Sequence, residues 1–205
     1  MQAVRRVWYN TQMKVFDFDE TILHGNSVRR FFGYCLVRLP YLVLYLPVQL
    51  VACLLYAVKI LNKDRFLSVL ESFVLFVPCK KKFIVRFWDK NFKHIKSWYL
   101  SQHSDKDVVI SASPLYLVEE ACHRLGVTCF ATNYSPETFL SKSPHCWGSV
   151  KVDVYRQNFG DTPIEKFYTD SMSDLPLLEM AHEGYFVKGN SVSLLYLNGQ
   201  KVQQL

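Results

Sequence analysis

Val15-Phe16-Asp17-Phe18-Asp19-Glu20-Thr21 is the stretch on which the reading of this chain turns. The apolar run over 13–18 predicts a short buried strand that leads straight into a carboxylate. A second carboxylate follows after one residue. Two acids at the end of a buried strand are costly to assemble unless a cation or a reaction uses them, because burial and mutual repulsion both oppose ionisation. Asp17 and Asp19 are therefore candidate reactive groups, the plain alternative being a capping pair ahead of a helix.

Outward from this stretch, further elements put polar residues where a parallel sheet would gather them. Val108-Val109-Ile110 predicts a second strand ending at Ser111-Ala112-Ser113-Pro114. Leu115, Leu117, Val118, Ala121 and Leu125 then follow at helical spacing up to Gly126, a residue suited to stop a helix. A third strand is expected over 127–131, a helix over 149–157, a strand over 164–169, a helix over 174–181 and a last strand over 185–188. Strands alternating with helices imply an α/β fold with a doubly wound, parallel, Rossmann-like sheet. Ligands of such sheets sit at the carboxyl ends of the strands. Asp17, Asp19, Ser111 and Asp170 all fall there.

Between the first two strands lies an excursion, residues 24–100, of different composition. The whole chain has 24 Lys+Arg against 18 Asp+Glu, but this window holds 13 against 3 and leaves 11 against 15 elsewhere. Residues 39–58 carry no charge, enough for one crossing of a bilayer as a helix. A single crossing would put Asp17 and Ser111 on opposite sides of the membrane. The only candidate for a return, residues 66–78, is short and contains Glu71, and Pro40 and Pro47 interrupt the first segment. An interfacial or re-entrant helical hairpin is the preferred reading; two spans and a soluble helical lid are the alternatives. Lys80, Lys81, Lys82, Arg86, Lys90, Lys93 and Lys96 follow, interleaved with aromatic residues. Beside so apolar a segment, this basic excess fits an anionic membrane surface better than a nucleic acid.

Half of the 205 residues are hydrophobic and 20% are charged, which excludes a disordered chain. The six cysteines are scattered without CxxC spacing, and residues 1–10 lack the apolar core of a secretory leader. Reduced thiols in a cytosolic setting, with no zinc site, are expected.

Four elements together resemble the haloacid dehalogenase superfamily of aspartate-nucleophile phosphatases. Asp17, Asp19 and Thr21 match its DxDx[TV] motif, Ser111 ends the apolar strand of its second motif, and Lys151 is the choice for its lysine, with Lys142 and Lys166 nearby. Tyr168-Thr169-Asp170-Ser171-Met172-Ser173-Asp174 matches its acidic GDxxxD motif, with Thr169 in place of the glycine. The resemblance implies a catalytic core from 11–23 and 101–205, and a mostly helical cap of the first type over 24–100, as in the subgroup that includes phosphoserine phosphatase. The apolar, basic cap looks more like that of bacterial phosphatidylglycerophosphate phosphatases.

What the resemblance implies for the site is specific. Asp17 is the nucleophile that forms an aspartyl-phosphate, and Asp19 is the general acid and base. Asp17, Asp170 and the main-chain carbonyl of Asp19 hold Mg²⁺, with Asp174 supporting the metal. Ser111, Ala112 and Lys151 hold the phosphoryl oxygens. The expected activity is hydrolysis of a phosphorylated lipid at the inner face of a bacterial membrane. A soluble phosphatase for a small metabolite, or a membrane-binding module with an inactive core, are the alternatives. Oligomeric state is not legible.

Overall fold

The structure, a computed structural model, describes residues 13–135 and 144–202. The leader reading of residues 1–10, the outermost residues of the expected core and the alternative lysine Lys142 lie outside them. Lys14–Phe16 form β1, shorter than the apolar run, and Val15 and Phe16 are fully buried. Both are covered because β1 is central: it pairs in parallel with β2 (Val108–Pro114) on one side and β4 (Ile164–Thr169) on the other. With β3 (Thr128–Thr132), β5 (Ala181–Lys188), β6 (Ser191–Leu197) and β7 (Gln200–Lys201), the seven-stranded sheet runs β3-β2-β1-β4-β5-β6-β7. The first five strands are parallel, and the fold is the α/β, doubly wound, Rossmann-like one that the alternation predicts.

The period of two along a strand divides the core. Phe16 faces one layer with Val109, Trp88, Tyr99 and Leu117, while Val15 faces the other with Ile110, Tyr155, Phe167 and Leu178. The second layer is covered by α7 (Ser149–Phe159) and α8 (Leu175–Met180). On the first face Phe16, Tyr168 and Tyr185 stack across three adjacent strands at 4.7 Å between successive ring centroids. Such cross-strand aromatic pairs each add about 0.5–1.5 kcal/mol beyond their area burial.

The excursion between β1 and β2 is helical. It comprises α1 (Ser27–Arg38), a 3₁₀ turn over Pro40–Tyr45, α2 (Leu46–Ala57), α3 (Lys63–Glu71), α4 (Lys80–Asn91) and the short α5 (Ser97–Leu100). Phe31 of α1, Trp88 of α4 and Tyr99 of α5 share the core layer with Phe16 and with Leu117 of α6 (Leu115–Leu125). Residues 66–78 divide between α3 and a 3₁₀ turn whose Phe73 and Val74 are buried, so they form no return span. Pro40–Ala57 is long and apolar enough to cross a membrane, and only 11% of it is buried. The expected basic surface needs one correction. Lys96 is buried, and its Nζ donates to the carbonyls of Glu20 and Gly189, the latter at 2.6 Å.

Most element boundaries agree with expectation to within two residues, α6 ending at Gly126 in the left-handed conformation (φ 71°). Strand β5 begins four residues early, directly after α8, because Ala181 and Gly184 sink into the core while His182 and Glu183 give the segment a polar look. The antiparallel β6 and β7 are absent from the sequence reading. Asn198-Gly199, with φ of 51° and 73°, joins them in a two-residue turn that requires left-handed backbone at both positions.

Candidate active site

The sheet order places the site. β1 lies between β2 and β4, and the connections leave it in opposite directions, so the carboxyl ends of these three strands face one crevice. Asp17 continues β1, its N–H donating to Tyr168 O at 2.9 Å. Ser111 stands at the middle of β2, which runs on to Pro114, and Asp170 follows β4. A cavity of about 620 Å³ opens over them, and Asp17, Asp19, Ser111, Ala112, Lys151 and Asp170 line it. The structure thus brings together every residue expected from the sequence, Asp174 included.

Lys151 is the hub. Its Nζ lies 2.5 Å from Asp17 Oδ1 and 2.7 Å from Asp174 Oδ2, and all three side chains are buried. Burial alone would discharge the ammonium, but the charges of Asp17 and Asp174 outweigh it and raise the lysine's pKa. Burial likewise raises the Asp17 carboxyl, Lys151 opposing and Asp174 adding. Asp174 also accepts from Thr169 Oγ1 at 2.9 Å and Gly148 N–H at 3.3 Å. Gly148 precedes α7 with φ 58°, and a Cβ there would stand 3.3 Å from the Ser173 carbonyl, so the turn that delivers Lys151 favours glycine. Lys166 takes no part. It pairs with Glu183 at 3.0 Å, half-exposed and away from the cavity.

Thr21 joins the two acidic strand ends. Its Oγ1 lies 3.2 Å from Asp17 Oδ2 and 3.3 Å from Asp170 Oδ1, and accepts the Asp170 N–H at 2.9 Å. Burial and the nearby charge of Asp17 push Asp170 up to about 7. Among the described residues no group of three or more His, Cys, Asp and Glu side chains is placed to hold a metal ion. Asp17 and Asp170, joined through Thr21, are the oxygen donors here that could hold a hard cation that keeps much of its water, as Mg²⁺ does.

Asp19 is held by donors that the sequence reading missed. Ser27 N–H donates to Oδ1 at 2.6 Å, Ser27 Oγ lies 3.1 Å from Oδ2, and the Ser113 hydroxyl donates to Oδ2. Burial lifts the Asp19 carboxyl to about 6 against these donors, with Asp17 adding to the rise. Glu20 follows with φ 55°, and the Lys96 ammonium holds its carbonyl.

A second cluster ties α3 to the loop before α7. Buried His145 bonds Asp64 Oδ1 at 3.2 Å and Glu71 Oε2 at 3.1 Å, and the Tyr134 hydroxyl donates to Glu71. Burial disfavours the imidazolium, but Glu71 and Asp64 outweigh it and raise the pKa. No motif marks this cluster in the sequence, since the bonds that tie α3 to Tyr134 and His145 join residues 63 to 81 positions apart.

Three neighbouring parallel strands whose carboxyl ends gather carboxylates, a hydroxyl and a buried lysine define an α/β fold with a reactive crevice. The match to the haloacid dehalogenase-like hydrolase family model extends over residues 15–179, and the chain belongs to that family. Among solved structures it is similar to a Bordetella pertussis Tohama I protein of unknown function, at TM-score 0.68 and 17% identity over 85% of this chain and 89% of that one. It is also similar to a Salmonella enterica serovar Typhi hydrolase of the same family, at TM-score 0.55 and 15% identity over 82% of this chain and 60% of that one. A third is a Francisella tularensis phosphoserine phosphohydrolase-like protein, at TM-score 0.53 and 14% identity over 85% and 86%. These likenesses concern the fold. No curated protein matches the sequence significantly.

Proposed function

We propose that this hydrolase cleaves phosphomonoesters through an aspartyl-phosphate and that its substrate is a phosphorylated lipid met at a membrane surface. The observation that carries the reading is the two-faced cavity. Its floor holds Asp17, Asp19, Lys151 and Asp170, whereas Phe32, Phe66, Leu67 and Leu70 of α1 and α3 line it from the excursion. Beyond this lining, Leu44, Leu50, Val51 and Leu54 stand exposed on the 3₁₀ turn and α2, and Val58 just after α2. Large exposed apolar patches mark interaction surfaces, and lipid is the partner that suits an apolar face followed by a basic helix. In this reading residues 24–100 act as a cap over a core from 11–23 and 101–205, and the enzyme works at the inner face of a bacterial membrane.

Asp17 Oδ attacks phosphorus in line and the ester oxygen leaves, taking its proton from Asp19. Asp19, now ionised, removes a proton from a water molecule, which attacks the aspartyl-phosphate, releases phosphate and restores Asp17. An acid with a pKa of about 6 is suited to both transfers. Lys151, Ser111 and the main chain at Ala112 hold the phosphoryl oxygens as charge redistributes. Mg²⁺ held by Asp17, Asp170 and the Asp19 carbonyl would neutralise negative charge at the phosphoryl group. Asp174 keeps Lys151 in place.

The test is hydrolysis by the purified protein, with and without Mg²⁺, of a panel of phospholipid monoesters and soluble phosphate esters. A preference for lipids supports the proposal. Efficient turnover of a small soluble ester with neglect of lipids would favour the metabolite phosphatase.

A further inference from the structure

Lys96 is a buried charge that the chemistry above does not use. It is 1% exposed and lies outside the cavity lining, out of reach of a substrate bound there. Among the described residues no carboxylate pairs with its ammonium, whose acceptors are two main-chain carbonyls, Glu20 O and, at 2.6 Å, Gly189 O. Withdrawing an ammonium from water without a counter-ion is costly, so what those two contacts hold in place matters.

The peptide they hold lies between two parts of the site. It joins Glu20 to Thr21, directly after Asp19 and directly before the hydroxyl that ties Asp17 to Asp170. Glu20 has φ 55°, a left-handed backbone that residues other than glycine, asparagine and aspartate seldom adopt. Its N–H donates to Gly25 O at 3.2 Å and its Oε2 accepts the Gly25 N–H at 3.2 Å, which supports the turn from one side. Lys96 supports it from the other by fixing the direction of the Glu20 carbonyl.

The lysine is itself anchored. Residues 22–24, where the chain leaves the sheet domain, pair with residues 94–96, where it returns. His24 N–H donates to His94 O at 2.9 Å, Lys96 N–H donates to Ile22 O at 2.8 Å, and Leu23 faces Ile95 in an antiparallel bridge. Gly189, between β5 and β6, adds a tie to the sheet. One side chain thus joins the paired entry and exit of the excursion, the sheet, and the turn that follows Asp19.

We infer that Lys96 is a positioning residue for Asp19: by holding the Glu20 carbonyl it keeps the Asp19 carboxyl aimed at the ester oxygen that leaves. The inference rests on the phosphatase reading, in which Asp19 is the acid, and adds to it a residue that never meets the substrate. Methionine at position 96 would occupy a similar volume but leave both carbonyls without their donor, and the turn would lose one of its two supports.

An acid matters most when the leaving group is poor. The experiment therefore compares kcat/KM, with Mg²⁺, for dihexanoyl phosphatidate, whose leaving group is an aliphatic alcohol, and para-nitrophenyl phosphate, whose nitrophenolate departs without a proton. Asp19→Asn sets the scale and should lower the ratio of the first to the second roughly a hundredfold. Lys96→Met should lower it roughly tenfold, as expected for an acid that is present but misdirected. Lys96→Gln keeps one donor, so it should fold where Lys96→Met does not, and should lower the ratio by less. The ratio is independent of the fraction of active protein, because a poorly folded sample loses both activities in proportion. Equal losses on the two esters in the Lys96 variants overturn the inference alone. An unchanged ratio in Asp19→Asn removes the acid assignment, and failure of the wild-type protein on both esters overturns the phosphatase reading; the inference falls with either.

Discussion

The ammonium of Lys151 lies 2.5 Å from the carboxylate of Asp17, a residue 134 positions earlier in the chain. Helix α7 reaches across the end of the sheet to put a positive charge on the proposed nucleophile, and Asp174 supplies the second anchor at 2.7 Å. This pairing keeps the buried lysine charged in the free enzyme and leaves it where an incoming phosphoryl group would meet it.

Replacing Asp17 by Asn keeps the size of the side chain and removes the nucleophile. Turnover is expected to fall by roughly a thousandfold or more, the scale seen when an essential catalytic side chain is lost. The fold should persist, because Lys151 keeps Asp174 and Thr21 keeps Asp170. Activity assays beside circular dichroism check both halves; substantial residual turnover would sink the covalent mechanism.

The raised carboxyls of Asp19 and Asp170 make a second prediction about the metal-free protein. Both groups have ordinary values near 3.8 and stand at about 6 and about 7 in the fold. Between those limits the native state holds protons that the unfolded chain has released, so stability falls as pH rises from about 4 to 7. Mg²⁺ should reverse the loss by binding the ionised native state, with a larger rise in melting temperature at pH 7.5 than at pH 5. Asp170→Asn should flatten the upper part of the pH dependence and remove most of the Mg²⁺ effect. Differential scanning calorimetry across pH, with and without Mg²⁺, measures both; a melting temperature that climbs steadily from pH 4 to 7 without metal contradicts the account.

How much of this was legible in the sequence depended on distance along the chain. The DxDxT stretch, the strand into Ser111 and the run from Tyr168 to Asp174 are local patterns; the first and third lie at the ends of their strands, while β2 runs three residues past Ser111. Lys151 was selected over Lys142 and Lys166 by resemblance. Ser113 and Ser27 were passed over because a serine hydroxyl carries no periodic or spacing signal; the contact of Ser113 with Asp19 spans 94 residues. The β6–β7 hairpin had a readable sign in Asn198-Gly199, one the helix–strand alternation offered no reason to seek. Lys96 was misplaced for the opposite reason, since its neighbours form a basic run and nothing local marks its burial.

Ser113 gives a third prediction. Its hydroxyl stabilises the ionised form of Asp19, so Ser113→Ala should raise that carboxyl further above 6. The pH profile of kcat is expected to shift to higher pH, with a loss of about tenfold at its maximum from a less well oriented acid. An unshifted profile would show that Ser113 does not control Asp19.

His145 gives a fourth. Glu71 is only 5% exposed, and His145→Leu removes the charge that compensates it. Breaking a buried pair in this way costs about 3–5 kcal/mol. Urea unfolding should register this loss, and Glu71→Gln in the same chain should recover part of it, because a neutral amide no longer needs the imidazolium. Additive losses in the double variant would dissolve the proposed coupling.

The last prediction concerns the membrane, where two forces of different salt dependence are at issue. Leu44, Leu50, Leu54 and Val58 are all more than half exposed, and each would gain about 1.5–3 kcal/mol if fully withdrawn from water. The basic helix α4 begins with Lys80, Lys81 and Lys82, and each lysine near an anionic surface contributes about 1 kcal/mol. The apolar contribution survives salt, whereas the electrostatic one weakens as the Debye length falls from about 10 Å at 0.1 M to about 3 Å at 1 M. Wild-type protein should therefore co-sediment with anionic vesicles more strongly than with neutral ones, and the difference should shrink in 1 M salt. Replacing Lys80, Lys81 and Lys82 together by Gln should weaken binding mainly at low salt. Leu50→Ser with Leu54→Ser should weaken it at both, and should slow hydrolysis of a lipid in vesicles more than that of a soluble ester. A protein that ignores both kinds of vesicle yet turns over a soluble ester would make residues 24–100 an ordinary lid and the exposed leucines of α2 a surface for some other partner.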